Sequence, residues 1–425
     1  MTKNRCLHLR FLFSLLFACT FLAEIFAGDT NQKLNLDPFA DAPTLTAISA
    51  VLMDASSGMV LYAKNSEMPI PPASLTKLMT IHVAMESAKK LDMPLTTPAK
   101  LPPESWAVNQ PPRSSLMFLA EGQTVSLNEL FLGLAIPSGN DAAVAVALNF
   151  SPTINGFAAL MNLEAAKLGL RVTHFVEPSG ISEENMTTAR EFAEFCRVYI
   201  KLHPENLQNF HSVKEFIYPK AENVPESQKY DPKPYIQTNH IGILKTFNGV
   251  DGLKTGYIDE SGYNIALTAK QNGTRFIAVV MGVPAAMGAY WGPRARDSDG
   301  RELLEWGYKN FKTIKPLIPE IPKTKVWKGK KNRAGLVIQN EHTNDAVDSF
   351  TVMADRGGGD LKWDMNLNEL IAPVEKGEVA GKIICYDNEG ELLNINLVSA
   401  DDIERGGFFK RLFHSIALFF KRLKK

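Results

Sequence analysis

Cysteine is scarce: the 425 residues contain four, and two of them, Cys6 and Cys19, fall in the first twenty positions. If that stretch is a leader, an exported chain keeps only Cys196 and Cys385, far apart in sequence, and a disulfide framework is excluded as the basis of the fold. The eight His are scattered, with no H-E-x-x-H, no C-x-x-C and no His pair at helical spacing, so no metal site is expected. No cofactor is expected either. Charge of one sign is also lacking. Lys plus Arg and Asp plus Glu number 46 each, which leaves no basic field of the kind that draws nucleic acid. Internal repeats and low-complexity tracts are absent, and a hydrophobic content of 45% is ample for a real core in one large domain or two smaller ones.

The two ends carry what the middle lacks. Lys3, Arg5 and Arg10 precede the apolar run FLFSLLFACTFLAEIFAG, interrupted only by Glu24, which reads as a secretory leader over residues 1–27. Ile25 and Ala27 suit cleavage before Gly28. An uncleaved anchor, or lipoprotein processing at Cys19 with Phe17 fitting that pattern poorly, are the alternatives. At the other end, residues 406–425 include Phe409, Leu412, Phe413, Ile416, Phe420 and Leu423 at helical spacing beside Lys410, Arg411, Lys421, Arg422, Lys424 and Lys425, without an acid. That is the composition of a helix lying in an anionic membrane interface, too short and too basic to span it. A terminal helix packed on the preceding domain is the plainer reading.

Between the ends, residues 28–43 form a polar lead-in, and LTAISAVLMDASSGMVLYAKN reads as two strands joined at Ser56-Ser57-Gly58. Helical patterns fill most of the region from Ser74 to Tyr199. One of them, TAREFAEFCRVYIKL, follows Thr187 or Thr188 as cap with Glu191 at capping-box spacing, and buries Cys196 as a small hydrophobe. Strands return at GVDGLKTGY, GYNIALTAKQ and TRFIAVVMGV, the last two joined by Asn272-Gly273, and GRELLEWGYKNF closes as a helix. The order implies an α/β domain with an antiparallel sheet over residues 44–315. KPLIPEIPK marks a boundary at 315–323, and short alternating runs with Gly-rich turns indicate a small all-β domain over 323–403.

Within PPASLTKLMT, Ser74 and Lys77 stand three apart. The prolines and Ser74 make an ordinary helix start, with Ser as cap, and S-x-x-K arises by chance: Ser87 with Lys90 is a second match with nothing around it. IPSGND sets Ser138 and Asn140 in a break between two helical patterns, and DGLKTGY sets Lys254, Thr255 and Gly256 in an expected edge strand. Each is weak alone. The three in this order are strong.

With these motifs, SGNDAA, GVDGLKTG…GYN and PVEKGEVAG, the chain resembles the low-molecular-mass penicillin-binding proteins of the serine D-alanyl-D-alanine carboxypeptidase type, over nearly the whole mature length. The resemblance implies a β-lactamase/transpeptidase-like domain followed by the β-rich domain and the amphipathic helix. It implies removal of the terminal D-Ala from a peptidoglycan pentapeptide through a Ser74 acyl-enzyme, which β-lactams would also form. The place would be the periplasmic face of the bacterial inner membrane. A serine hydroxyl needs a base, and Lys77, one turn on, serves only if neutral; burial and a second ammonium, Lys254, would both lower its pKa. By the same resemblance Ser138 relays a proton to the leaving amine, Asn140 holds the substrate amide, and Thr255 binds the terminal carboxylate with Arg296 as cationic partner. Arg294 and Arg301 compete for that last role, and structural ion pairing is the alternative for any of them. The backbone amides of Ser74 and Tyr257 would form the oxyanion hole. Tyr257 stands where the family carries various residues, His among them, so the resemblance does not fix the deacylation rate. A class A β-lactamase shares the motifs, but it would have no use for a second domain or a basic tail, and no E-x-x-L-N segment is found. A catalytically weak, membrane-tethered wall-peptide-binding protein is the remaining rival.

Overall fold

The computed structural model describes residues 41–339 and 349–423, and the side chain of Arg422 is outside it. The expected leader, most of the lead-in, Lys424 and Lys425 therefore lie outside the described residues. The first domain is built on a five-stranded antiparallel sheet of β1 (Ser49–Asp54), β2 (Val60–Lys64), β3 (Val250–Ile258), β4 (Gly262–Gln271) and β5 (Thr274–Val283). Its order is β2-β1-β5-β4-β3, so the K-T-G strand β3 is an edge. The β4–β5 hairpin turns at Asn272-Gly273, both at positive φ, which is the conformation that this dipeptide favours.

A helical block supplies α1 (Thr76–Lys90), α2 (Leu127–Ala135), α3 (Asn140–Phe150), α4 (Ile154–Lys167) and α5 (Ala189–Leu202). Its apolar faces join Val51, Ile277 and Val279 of the sheet in one core. The side chain of Thr188 caps α5 by accepting from the Glu191 amide, but the capping box is only half formed. The Glu191 carboxylate turns instead to the amides of Arg171, Val172 and Thr173 and ties the preceding loop to the helix.

The last helix of the domain, α6, runs from Gly288 to Asn310, a full twelve residues earlier than the apolar pattern at Gly300 suggests. Its first half is rich in Gly, Pro and Asp, which hides the periodicity. The glycines have a packing reason. A Cβ at Gly300 would sit 2.5 Å from Leu267, and one at Gly307 would sit 2.7 Å from Leu52, so their absence lets the helix lie close on the sheet.

The strand Phe311–Ile314 leaves α6 directly and pairs with Phe350–Met353, ahead of the Pro-punctuated stretch at 315–323. The second domain is all β. A four-stranded sheet in the order Leu336–Ile338, Gly390–Ser399, Val379–Asp387, Lys362–Leu367 accompanies a three-stranded one around Thr324–Trp327. Buried Asp54 at the end of β1 links the domains: its carboxylate accepts from Ser56 and Ser57 in its own turn, from Thr313 in the connection and from Thr351 in the second domain. Cys196 and Cys385 are both buried and unpaired.

The terminal helix α7 (Phe408–Leu423) rests on the β domain through polar contacts. The Lys328 amide donates to His414 Nδ1 at 2.7 Å, Lys410 Nζ donates to the Lys330 carbonyl, and Lys421 pairs with Glu369. The opposite side is left open, with Phe409, Phe413, Phe420 and Leu423 all more than half exposed. The helix is packed, as the plainer expectation held, yet by its polar side. Among the described residues no single helix is long and apolar enough to cross a membrane.

Candidate active site

Ser74 lies in a single 3₁₀ turn, Ala73–Leu75, that precedes α1, and its side chain caps nothing. The expected capping role is therefore not taken up. The hydroxyl instead accepts from Lys77 Nζ at 2.9 Å, and the residue is only half-buried, so it is open to a substrate. Ala73 sits at φ +51°, a conformation that L-residues occupy rarely and at a cost of about 1–3 kcal/mol. Surrounding backbone holds it there. Asn264 on β4 donates to the Pro71 carbonyl at 3.1 Å, and two glycines press from either side. A Cβ on Gly256 would lie 2.8 Å from the Pro72 oxygen and 3.0 Å from the Ser74 nitrogen, and one on Gly180 would lie 1.9 Å from the Ala73 oxygen. The amide of Ser74 and the K-T-G strand, with Tyr257 next along it, thus share one seam.

Lys77 is fully buried and donates to three acceptors: Ser74 Oγ, Asn140 Oδ1 at 2.8 Å, and the Ser179 carbonyl. Burial lowers its pKa to about 7, against the opposing pull of Glu177 and then Asp141. A large neutral fraction is thus present near neutral pH. Lys254, 1% exposed, donates to Ser138 Oγ at 2.8 Å and to the Thr255 carbonyl. Burial, then Lys77, then Arg296 push its pKa well below the ordinary value. Burial is the first cause of the lowering at both lysines, and the repulsion between them, which is mutual, disfavours the state in which both are charged.

Ser138 and Asn140 meet these lysines because the turn between α2 and α3 is held tightly. Ser138 adopts φ +63° and Asn140 opens α3. Asn140 Nδ2 donates to Ser114 Oγ, and Asp141 accepts from the amides of Met117, Phe118 and Leu119 at 2.7–3.0 Å, which brings the 114–119 loop over the turn. Thr255 is buried on β3 beside Lys254. Tyr257 is 41% exposed, its hydroxyl donating to Asp259 and its ring against Tyr263.

Of the three arginines, Arg296 is buried and acts electrostatically on Lys254 and His240, while pairing with Asp297 and donating to the His240 carbonyl. Arg294 lies on the Tyr290 ring, and Arg301 reaches Glu305 and Thr246. The chance match, Ser87 and Lys90, is at the outer end of α1.

Sequence reading missed the segment 177–185 entirely. The Glu177 carboxylate accepts from the amides of Ser179 and Gly180 and from Asn185 Nδ2, and this turn delivers the Ser179 carbonyl to Lys77. The only signal for it was the turn-like run E-P-S-G. Among the described residues no group of His, Cys, Asp or Glu is arranged to hold a metal.

The site and its frame match known proteins. The model of a family described as D-alanyl-D-alanine carboxypeptidase matches residues 38–285, and that of Penicillin-binding protein 5, C-terminal domain, matches 311–405. The chain is 33% identical over 389 residues to D-alanyl-D-alanine carboxypeptidase DacA of Haemophilus influenzae, covering 90% of this chain and 91% of that one. It is 32% identical over 416 residues to DacA of Escherichia coli, covering 95% and 94%. The solved structure of penicillin binding protein 5 from Haemophilus influenzae superposes with a TM-score of 0.68 at 32% identity, over 85% of this chain and 99% of that one. Penicillin binding protein 6B from Escherichia coli gives 0.64 at 29%, over 84% and 96%. With the fold, both domains and most of the length accounted for, the chain belongs to the D-alanyl-D-alanine carboxypeptidase family of low-molecular-mass penicillin-binding proteins.

Proposed function

We propose that this chain hydrolyses the terminal D-Ala-D-Ala bond of peptidoglycan pentapeptides, with Ser74 as nucleophile and neutral Lys77 as its base. The observation that carries this reading is the 2.9 Å contact between Lys77 Nζ and Ser74 Oγ, made by a lysine with a pKa of about 7. Lys77 takes the Ser74 proton as Oγ attacks the carbonyl carbon. The oxyanion is held by the backbone amides of Ser74 and Tyr257. As the C–N bond breaks, the proton that Lys77 took from Ser74 passes through the Ser138 hydroxyl, which Lys254 holds by a hydrogen bond, to the leaving amine of D-Ala, and Lys77 is neutral again. Water then attacks the ester, neutral Lys77 takes its proton and returns it to Ser74 Oγ as the C–O bond breaks, and both groups are restored. Asn140 holds the substrate amide, and Thr255, Gly256 and Arg296 form the side that receives the terminal carboxylate. A β-lactam acylates the same serine. Intact-protein mass spectrometry after exposure to benzylpenicillin, beside D-Ala release from a pentapeptide, tests this. An adduct on the wild type and none on Ser74→Ala is the expected result. No adduct at any early time, with no D-Ala released, overturns it in favour of a wall-peptide-binding protein.

The same reading extends to location. The leader over 1–27 exports the chain, and residues 406–425 hold it at the periplasmic face of the inner membrane. What supports this is the exposed Phe and Leu side of α7, turned away from the polar contacts that His414 and Lys421 make with the β domain. The full chain should co-sediment with anionic vesicles in a salt-sensitive manner, and a chain ending at residue 405 should stay in the supernatant. Equal sedimentation of both would remove the anchor from α7.

A further inference from the structure

One aromatic cluster takes no part in the chemistry above. Tyr290 and Trp291, in the first turn of α6, are 59% and 62% exposed and lie edge to face with ring centroids 4.9 Å apart. They are not loose. Arg294 stacks on Tyr290 at 3.8 Å from the ring centroid and donates to its carbonyl at 2.7 Å, which fixes the Tyr290 ring, and Trp291 lies against that ring. Pro284, Ala286, Gly288 and Ala289, just before them in the chain, are exposed and uncharged, and Arg294 adds one exposed charge against Tyr290. Large exposed rings grouped on an otherwise soluble surface mark an interaction site.

The cluster is joined to the active site by packing. Tyr257, next to Gly256 at the Ser74 seam, has its ring 4.3 Å from that of Tyr263. Tyr263 is buried and abuts α6 at Gly292, where a Cβ would lie 2.0 Å from its ring. Gly292 follows Trp291 directly, so the Tyr257–Tyr263 pair at the oxyanion seam packs against the turn of α6 that carries the two exposed rings. We propose that Tyr290 and Trp291 form a ledge that binds a sugar ring of the glycan to which the substrate peptide is attached.

The inference rests on the carboxypeptidase reading, which puts such a polymer in the cleft. A pyranose offers an apolar C–H face within a polar outline of hydroxyls, which is what two amphipathic rings flanked by a guanidinium donor can recognise. A bilayer is the poorer occupant, because the one cation on these rings, Arg294, is stacked on Tyr290, whereas Lys410, Arg411, Lys421, Arg422, Lys424 and Lys425 accompany the exposed rings at the C-terminal end.

The test compares the full chain with the Tyr290→Ala/Trp291→Ala double variant on two substrates: a free pentapeptide and the same peptide carried on its amino-sugar disaccharide. The wild type should prefer the sugar-bearing substrate about tenfold in kcat/KM, the scale of one or two well-made ring contacts. In the variant that ratio should fall to about one, while free-peptide turnover and penicillin acylation stay within about twofold of wild type. Saturation-transfer NMR with the peptide-free disaccharide should show contact in the wild type and none in the variant. An unchanged ratio, or no transfer in the wild type, overturns the ledge. A variant that instead loses vesicle binding or changes oligomeric state does so as well, by assigning the patch to a bilayer or a second copy. If the wild type hydrolyses neither peptide but shows transfer, the carboxypeptidase reading fails and the ledge survives.

Discussion

Lys77→Met lowers the acylation rate of Ser74 by a factor of about 10⁴, the upper range for loss of a positioned general base. It also removes the pH dependence around neutrality. The sign follows from the site: Lys77 accepts the Ser74 proton only when neutral, and with a pKa of about 7 its neutral fraction rises through that pH. Wild-type acylation should therefore climb from acid to half its plateau near pH 7 and level off above it. The same shift links to folding. Because the folded pKa lies below the ordinary 10.5, the unfolded chain binds more protons between about pH 7 and 10.5, and this group's contribution favours the fold increasingly as pH rises through that interval. Methionine fills the volume but leaves Asn140 Oδ1 and the Ser179 carbonyl without their ammonium donor, so thermal unfolding must accompany the kinetics. Lys254→Met is the necessary companion. It should slow acylation while keeping the limb near pH 7; should the limb vanish there and persist in Lys77→Met, the base is Lys254.

The three motifs were legible because each occupies a place that local rules announce. Ser74 follows two prolines at a helix start, Ser138 and Asn140 fall where one helical pattern stops and the next begins, and Lys254 to Gly256 lie in an alternating strand. Resemblance then joined what spacing could not. What remained illegible is backbone contact between segments distant in sequence. Nothing local to E-P-S-G says that Glu177 folds the turn which hands a carbonyl to Lys77, and nothing near Asp141 says that its carboxylate gathers three amides from residues 117–119. Ser74 misled in the opposite sense: its position suits a cap, but the left-handed Ala73 turns the hydroxyl toward Lys77 instead. The first half of α6 was hidden by the small residues that let it press on the sheet. The polar contacts beneath α7 were masked by a composition that speaks only of its exposed side.

The second large effect comes from that unread turn. Gly180→Ala should lower the acylation rate by a factor of about 10², although residue 180 has no side chain to lose and touches no reacting atom. Its φ of +81° strains any L-residue by about 1–3 kcal/mol. More decisive, the new Cβ would stand 1.9 Å from the Ala73 oxygen, 2.3 Å from its carbonyl carbon and 2.9 Å from the Ser74 nitrogen. All three are backbone atoms, so no rotamer can relieve the overlap. Either the Ala73–Ser74 peptide moves, which displaces the nucleophile and its oxyanion donor together, or the 177–182 turn withdraws and takes the Ser179 carbonyl from Lys77. The two are separable by the pH profile. Displacement of Ser74 leaves the limb near pH 7 and lowers the plateau, whereas withdrawal of the turn changes the acceptors around Lys77 and shifts the limb itself. Stopped-flow acylation with a chromogenic β-lactam, on a variant checked for a cooperative thermal transition, distinguishes them. Acylation within about threefold of wild type at every pH would mean that the turn does not position the nucleophile at all.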